Sequence, residues 1–88
     1  MTVKTIYDAD YRKILIQLKR AREERGLSQM EAARLLNMTQ STLSKCENGD
    51  RRIDIIELTR FAAAYEKDME YLLPENIRNI LLPKIDHR

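Results

Sequence analysis

Apolar residues recur every three or four positions in the first third of the chain. Between residues 10 and 25 they lie on one stripe while charged residues occupy the other faces, a pattern typical of an amphipathic helix. The stripe consists of Tyr11, Ile14, Leu15, Leu18, Ala21 and Arg22. Asp8 or Asp10 is suited to cap this helix, and Gly26 to end it in a left-handed conformation. A first helix over residues 10–25 is therefore predicted.

Capping residues mark the starts of the following helices. Ser28 with Glu31 has the spacing of a capping box, in which each side chain accepts from the backbone N–H of the other. Asp54 with Glu57 repeats it, and Thr39 is a further N-cap candidate. These signals predict three helices, over residues 28–36, 39–48 and 54–65.

Residues that tolerate a positive φ, or that exclude the helical region, mark the helix ends. Asn37 and Gly49 can adopt the left-handed conformation. Asp68 can cap a fifth helix that ends before Pro74. Residues 75–82 are expected to form a sixth helix of one or two turns. Residues 2–7 alternate weakly, so residues 1–9 are interpreted as an N-terminal arm. The expected fold is an all-α, compact bundle of five or six short helices, with a domain at residues 10–73 and a C-terminal segment at 74–88.

Composition narrows the classes of function. Cys46 cannot form an internal disulfide, and with His87 it supplies at most two zinc ligands. No segment approaches the roughly 18 consecutive apolar residues of a membrane span, and the N-terminus lacks an apolar signal core. No nucleophile, base and orienting group can be proposed together. We expect a reduced, cytoplasmic protein that is not an enzyme and has no cofactor, no metal and no small-molecule effector domain.

The two predicted helices within residues 28–48 are joined by only three residues, so they must cross closely, as in a helix-turn-helix. Ala32 and Ala33 are small enough for this crossing, Asn37 makes the turn and Met38 fills the corner. On the second helix, Leu43 and Cys46 form an inward stripe. The opposite face then has no apolar residue, which suits insertion into a DNA major groove. The residues expected to face the bases are Gln40, Ser41, Ser44 and Lys45.

The run GLSQMEAARLLNMTQSTLSKCENG resembles the helix-turn-helix family of phage Cro proteins and repressors, the XRE family, which has a lambda repressor-like fold. The resemblance implies that Gln29 anchors on a phosphate and that Gln40, Ser41, Ser44 and Lys45 face bases. It also implies a buried ion pair between Arg22 and Glu47. The chain departs from the family at Asn37, where glycine is usual, and at Cys46, where a larger aliphatic residue is usual.

Contacts to the DNA backbone are expected from the rim of the motif, because helix N-termini, polar side chains and guanidinium groups bind phosphate. The predicted set is Ser28, Gln29, Thr39, Thr42, Asn48, Arg51 and Arg52. With so few cations, one subunit should bind weakly, which favours a homodimer on two half-sites about 34 Å apart. A C-terminal apolar cluster is either a lid on the core or the dimer surface, with dimerisation preferred. Its named members are Tyr71, Leu72, Ile77, Ile80 and Leu81.

The leading functional hypothesis is a bacterial or phage transcriptional regulator, expected to be a repressor, that binds a palindromic operator on double-stranded DNA in the nucleoid. Two alternatives stay open. One is an antitoxin that also holds a toxin or other partner protein through residues 1–7 or 77–88. The other is the controller of a restriction and modification system. A neighbouring toxin gene would indicate the first, and neighbouring methyltransferase and nuclease genes the second.

Overall fold

A computed structural model describes the backbone of residues 2–81 and the side chains of residues 9–79. Within these residues the chain forms six helices and no strand, which confirms the all-α prediction. The helices are α1 (Thr2–Glu24), α2 (Gln29–Leu35), α3 (Gln40–Asn48), α4 (Ile55–Ala64), α5 (Met69–Leu72) and α6 (Glu75–Leu81). None of the described helices is long and apolar enough to cross a membrane.

Helix α1 is longer than predicted. It begins at Thr2, so the interpretation of residues 1–9 as an arm and the prediction that Asp8 or Asp10 caps the helix are both wrong for the described backbone. The physical reason is that residues 2–9 contain neither glycine nor proline, so nothing interrupts propagation once the amphipathic part is helical. Asp8 and Asp10 are interior helical residues.

The predicted caps form. Ser28 and Asp54 each accept from the N–H of the third residue of their helix, and the glutamates Glu31 and Glu57 complete both capping boxes. Thr39 and Asp68 cap α3 and α5 in the same way. Each of these helices therefore begins at the residue where its local sequence satisfies the free backbone donors of the first turn.

Four helices end in one hydrogen-bonded pattern. Beyond α1, α2, α3 and α4, an N–H donates to the carbonyl oxygen five residues earlier, at 2.9–3.2 Å, as in a Schellman motif. The residue in the left-handed conformation is Gly26, Asn37, Gly49 and Glu66 respectively. The first three are predicted by sequence, whereas Glu66 at φ 60° is a residue type that disfavours this conformation.

The core lies between α1 and the helices packed on it. Its largest fully buried members are Tyr65, Phe61, Leu18, Leu43, Leu72 and Cys46. Leu72 is 0% exposed, so its assignment to a dimer surface is wrong. The apolar side chain of α5 closes the core of its own chain, because α5 packs against both α1 and α4.

Candidate nucleic-acid interface

Helices α2 and α3 cross at the small residues of α2. Ala32 is 0% and Ala33 3% exposed, so their methyl groups leave room for α3 to pack directly on α2. Asn37 adopts φ 58° in the turn, and the N–H of Met38 donates to the oxygen of Ala33 at 2.9 Å. The three-residue turn is thus fixed by its own hydrogen bonds, and it sets the angle between the two helices.

The two faces of α3 differ as predicted. Leu43 and Cys46 are both 0% exposed and point into the core. Gln40, Ser41 and Lys45 are exposed, and Ser44 is half-buried. The structure therefore brings the four predicted base-facing residues to the outer side of one helix, free of large apolar side chains, where base edges in a groove could be approached.

The start of α3 is held by two threonines. Thr39 Oγ1 accepts from the backbone N–H of Thr42 at 3.0 Å, and its own O–H donates to the Thr42 hydroxyl oxygen at 2.9 Å. At α2, the backbone N–H of Ser28 donates to Glu31 at 2.9 Å. This bond, with the Ser28 hydroxyl, lowers the pKa of the Glu31 carboxyl. The predicted phosphate contacts Ser28, Thr39 and Thr42 are thus capping residues or lie beside one, at the ends of the two helices of the motif.

Glu47, near the C-terminal end of α3, connects this helix to α1 and α2. Arg22 Nε donates to Glu47 Oε2 at 2.7 Å and Nη2 to Oε1 at 3.2 Å, while Nη1 donates to the oxygen of Leu27 at 2.8 Å. The side chains of Arg22 and Glu47 are only 9% and 5% exposed. Burial opposes the charge of Arg22, but the hydrogen bonds and charge of Glu47 outweigh it and raise the pKa of the guanidinium.

Gln29 belongs to the same network. Its Nε2 donates to Glu47 Oε1 at 2.9 Å, and the residue is half-buried. This contact orients the side-chain amide at the start of α2 and places it beside α3. The resemblance implies an ion pair of Arg22 with Glu47. In the structure Gln29 joins this pair, so the three side chains form one hydrogen-bonded cluster.

The two arginines that follow α3 are engaged within the chain. Arg51 makes a bidentate pair with Glu57 at 2.8 and 3.1 Å, and its Nη1 also donates to Cys46 Sγ at 3.4 Å. Arg52 is exposed, and its guanidinium carbon lies 4.6 Å from the centre of the Tyr11 ring. Of these two predicted phosphate contacts, Arg51 braces the loop between α3 and α4, and Arg52 keeps its charge at the surface.

Sequence reasoning missed the part of Tyr11 in this loop. The backbone N–H of Ile53 donates to Tyr11 Oη at 2.9 Å, so the ring that stacks on Arg52 also anchors the chain before α4. Glu57 was recognised only as a capping residue. Its bonds with Arg51, and then with the N–H of Asp54, lower the pKa of its carboxyl. The signal that could have revealed the pair is the i, i+6 spacing of opposite charges across a predicted helix start.

Cys46 is buried near the C-terminal end of α3. Burial raises the pKa of its thiol, against the effect of the hydrogen bond from Arg51. The thiol occupies the core position at which the resemblance places a larger aliphatic residue. Among the residues whose side chains are described, no three His, Cys, Asp or Glu residues cluster as metal ligands would.

The members of the C-terminal cluster differ in how far they are buried. Tyr71 is half-buried against the core, and its carbonyl oxygen accepts from Gln17 Nε2 at 3.1 Å. Ile77 is also half-buried, while the side chains of Ile80 and Leu81 lie outside the described residues. More exposed large apolar residues occur elsewhere, at Ile16, Met30, Leu35, Ile55 and Ile56.

Comparisons with known proteins agree on this motif. A family model described as helix-turn-helix matches residues 18–72. A solved structure of an XRE-family like protein from Pseudomonas syringae pv. tomato strain DC3000 is 35% identical to the chain. The match has a TM-score of 0.77 and covers 93% of this chain and 98% of that chain. No curated protein sequence matches the chain.

Proposed function

This chain belongs to the XRE-type helix-turn-helix family of DNA-binding transcriptional regulators, and on that premise we propose that it is a homodimeric repressor of a palindromic operator. Each subunit inserts α3 into a major groove. The observation that carries the proposal is the outer face of α3, where Gln40, Ser41 and Lys45 are exposed. The protein acts by binding, in the cytoplasm, on the chromosome.

Base discrimination in this proposal comes chiefly from two side chains. Gln40 presents an amide that suits bidentate bonding to adenine, and Lys45 a donor that suits guanine. Ser41 and Ser44 can donate or accept, so they tolerate more than one base. Leu43 and Cys46 on the inner face keep this set directed outward. Each good pairing is worth about 1–3 kcal/mol of discrimination.

Phosphate contacts position α3 in the groove. Gln29, oriented by Glu47, and the helix starts at Ser28 and Thr39 supply neutral donors. Arg52 supplies charge, with Thr42 and Asn48 as further polar contacts. Arg51 reaches a phosphate only with the guanidinium edge that Glu57 leaves free, because the pair already uses two of its nitrogens.

Dimerisation is part of the proposal because one subunit offers few basic side chains to the DNA backbone. Counterion release by basic side chains supplies much of the affinity for DNA, and one subunit offers few of them. Two subunits double these contacts and read two half-sites in successive major grooves, about 34 Å apart. A dimer that covers two grooves overlapping a promoter excludes polymerase, so the proposed outcome is repression.

Fluorescence anisotropy with a selected duplex and a scrambled duplex tests the proposal. We expect Lys45→Ala to reduce the preference for the selected duplex about tenfold, as one lost base contact implies. Lys13→Ala is the matched control, because Lys13 is an exposed lysine on α1 beside Tyr71 and Pro74, and it should leave the preference unchanged. An unchanged preference in Lys45→Ala would show that this face does not read bases.

A further inference from the structure

Two adjacent isoleucines stand exposed at the start of α4. Ile55 is 65% and Ile56 57% exposed, the highest values among the exposed large hydrophobic side chains of the described residues. Thr59, one turn further on, is exposed as well. We name Ile55, Ile56 and Thr59 the α4 face. Residues three or four apart on a helix are neighbours, so these three side chains form one continuous surface.

We propose that the α4 face is the surface through which two copies of this chain meet on DNA. The inference rests on the proposed function and deepens it by naming the dimer contact. It names a surface for self-association that does not depend on Leu72 of the C-terminal cluster, which is fully buried within its own chain.

The length of the connection from α3 allows the α4 face to lie near a two-fold axis between half-sites. Recognition helices in successive grooves lie about 34 Å apart, so the axis passes about 17 Å from each. Ile55 opens the helix that follows α3, seven residues after Asn48, and seven residues span at most about 25 Å. The start of α4 is therefore within reach of the axis while α3 occupies its groove.

The charges around the α4 face suit a second copy of the same surface. A two-fold contact sets a patch against itself, so a patch with one sign of charge repels its copy. Asp54 precedes the two isoleucines, while Arg52 and Arg60 lie on either side, and all three are exposed. Both signs therefore border the apolar centre, and Arg60 of one copy can face Asp54 of the other.

The loop between α3 and the α4 face is braced, which couples the two. Arg51 joins Cys46 of α3 to Glu57 of α4, and Glu57 also accepts from the N–H of Asp54 at 3.1 Å. Tyr11 holds Ile53 within the same loop. Seating α3 in a groove therefore fixes where the α4 face points.

Among the side chains that the structure describes, the other exposed large apolar residues form no such adjacent pair. Ile16 lies on α1, and Met30 and Leu35 lie on α2. The two α2 residues are five positions apart, which places them about 140° apart around the helix. Met30 and Leu35 are therefore single exposed side chains, as occurs on most protein surfaces, whereas Ile16 lines a surface pocket with Tyr71 and Pro74.

The size of the α4 face predicts that the contact is weak without DNA. Stable interfaces bury about 800 Å² on each partner, far more than two isoleucines and a threonine offer. The protein should therefore be largely monomeric at micromolar concentration and dimerise when two half-sites hold the copies together, which raises their effective concentration.

Cooperative binding measures this contact. Anisotropy of the full chain is compared on a duplex with one half-site and a duplex with two. We expect wild type to bind the double site cooperatively, and Ile55→Ser with Ile56→Ser to bind the single site equally well. The double variant should lose cooperativity and at least about tenfold in affinity for the double site. Leu35→Ser, which removes an exposed apolar side chain of α2, should behave as wild type.

Cross-linking supplies a second readout that does not depend on the stability of the serine variant. Cys46 is fully buried, so Ile56→Cys introduces one accessible thiol, and Leu35→Cys does the same on α2. A short bis-maleimide should link Ile56→Cys into a covalent dimer on the double-site duplex and not on the single-site duplex. Leu35→Cys should stay monomeric on both.

The outcomes separate the interface from the function. Cooperativity that survives in the double serine variant, or equal cross-linking of both cysteine variants, would overturn the α4 face while single-site binding remained intact. Failure of Ile56→Cys to cross-link on a double site that it binds cooperatively would overturn it as well. Absence of sequence preference in wild type would instead overturn the proposed function and, with it, this inference.

Discussion

At the scale of single residues, Glu47 does more than partner one arginine. Its carboxylate accepts from two nitrogens of Arg22 and from Nε2 of Gln29, so it links α1 and the start of α2 to α3. A buried carboxylate with all donors in place is stable, whereas a buried charge that loses its partner is costly. The orientation of α3 and of Gln29 therefore depends on one side chain that itself contacts no base in our proposal.

Removing Glu47 should be strongly destabilising. We expect Glu47→Ala to lower the free energy of unfolding by about 3–5 kcal/mol, because it leaves the Arg22 guanidinium buried without a counter-charge. Urea denaturation followed by circular dichroism measures this change. The double variant with Arg22→Met and Glu47→Met should recover most of the loss, since it removes both charges. A loss below about 1 kcal/mol in Glu47→Ala would contradict the account.

The pair of Arg51 and Glu57 makes stability depend on acid pH. Because the pKa of Glu57 is lowered from 4.5 in the folded state, its contribution is complete above pH 4.5 and is lost as pH falls through the lowered folded pKa. Glu57→Gln should therefore melt at a lower temperature than wild type at pH 7, and the difference should narrow progressively as pH falls below 4.5. Thermal denaturation at several pH values checks this, and a constant difference across the range would contradict it.

At the scale of helices, local signals account for most boundaries. Ser28, Thr39, Asp54 and Asp68 were predictable as caps because an N-cap acts through the backbone of its own first turn. The start of α1 was not, because no capping signal marks Thr2 as a boundary. The end of α4 was also hidden, because Glu66 carries no signal for a left-handed residue.

Glu66 should therefore gain from glycine. A non-glycine residue at φ 60° is strained by its Cβ, so we expect Glu66→Gly to raise the free energy of unfolding by about 1 kcal/mol. Glu66→Gln keeps the strain and removes only an exposed pair with Arg25 at 3.6 Å, so it should change little. Equal stabilisation by both variants, measured by thermal melting, would show that the charge and not the backbone is responsible.

At the scale of the whole molecule, the sequence predicts which face of α3 is exposed better than it predicts the roles of residues outside that helix. The burial of Leu43 and Cys46 determines which side of α3 is exposed, because the period of a helix fixes the angle between the residues on its two faces. The bond of Arg51 to Glu57 and the full burial of Leu72 depend on contacts between helices. A cation after a recognition helix and an apolar C-terminal residue look alike in sequence whether they serve the chain itself or a partner.

Base reading by the outer face of α3 is the central claim, and selection of bound sequences from random duplex DNA tests it most directly. Wild type should enrich a two-fold symmetric sequence with half-site centres about 10 base pairs apart. Gln40→Ala should lose the preference at one position in each half-site and keep the others. Gln17→Ala, a control on α1 whose amide bonds Tyr71, should enrich the wild-type sequence. If Gln40→Ala and wild type enrich the same sequence at every position, the claim is contradicted.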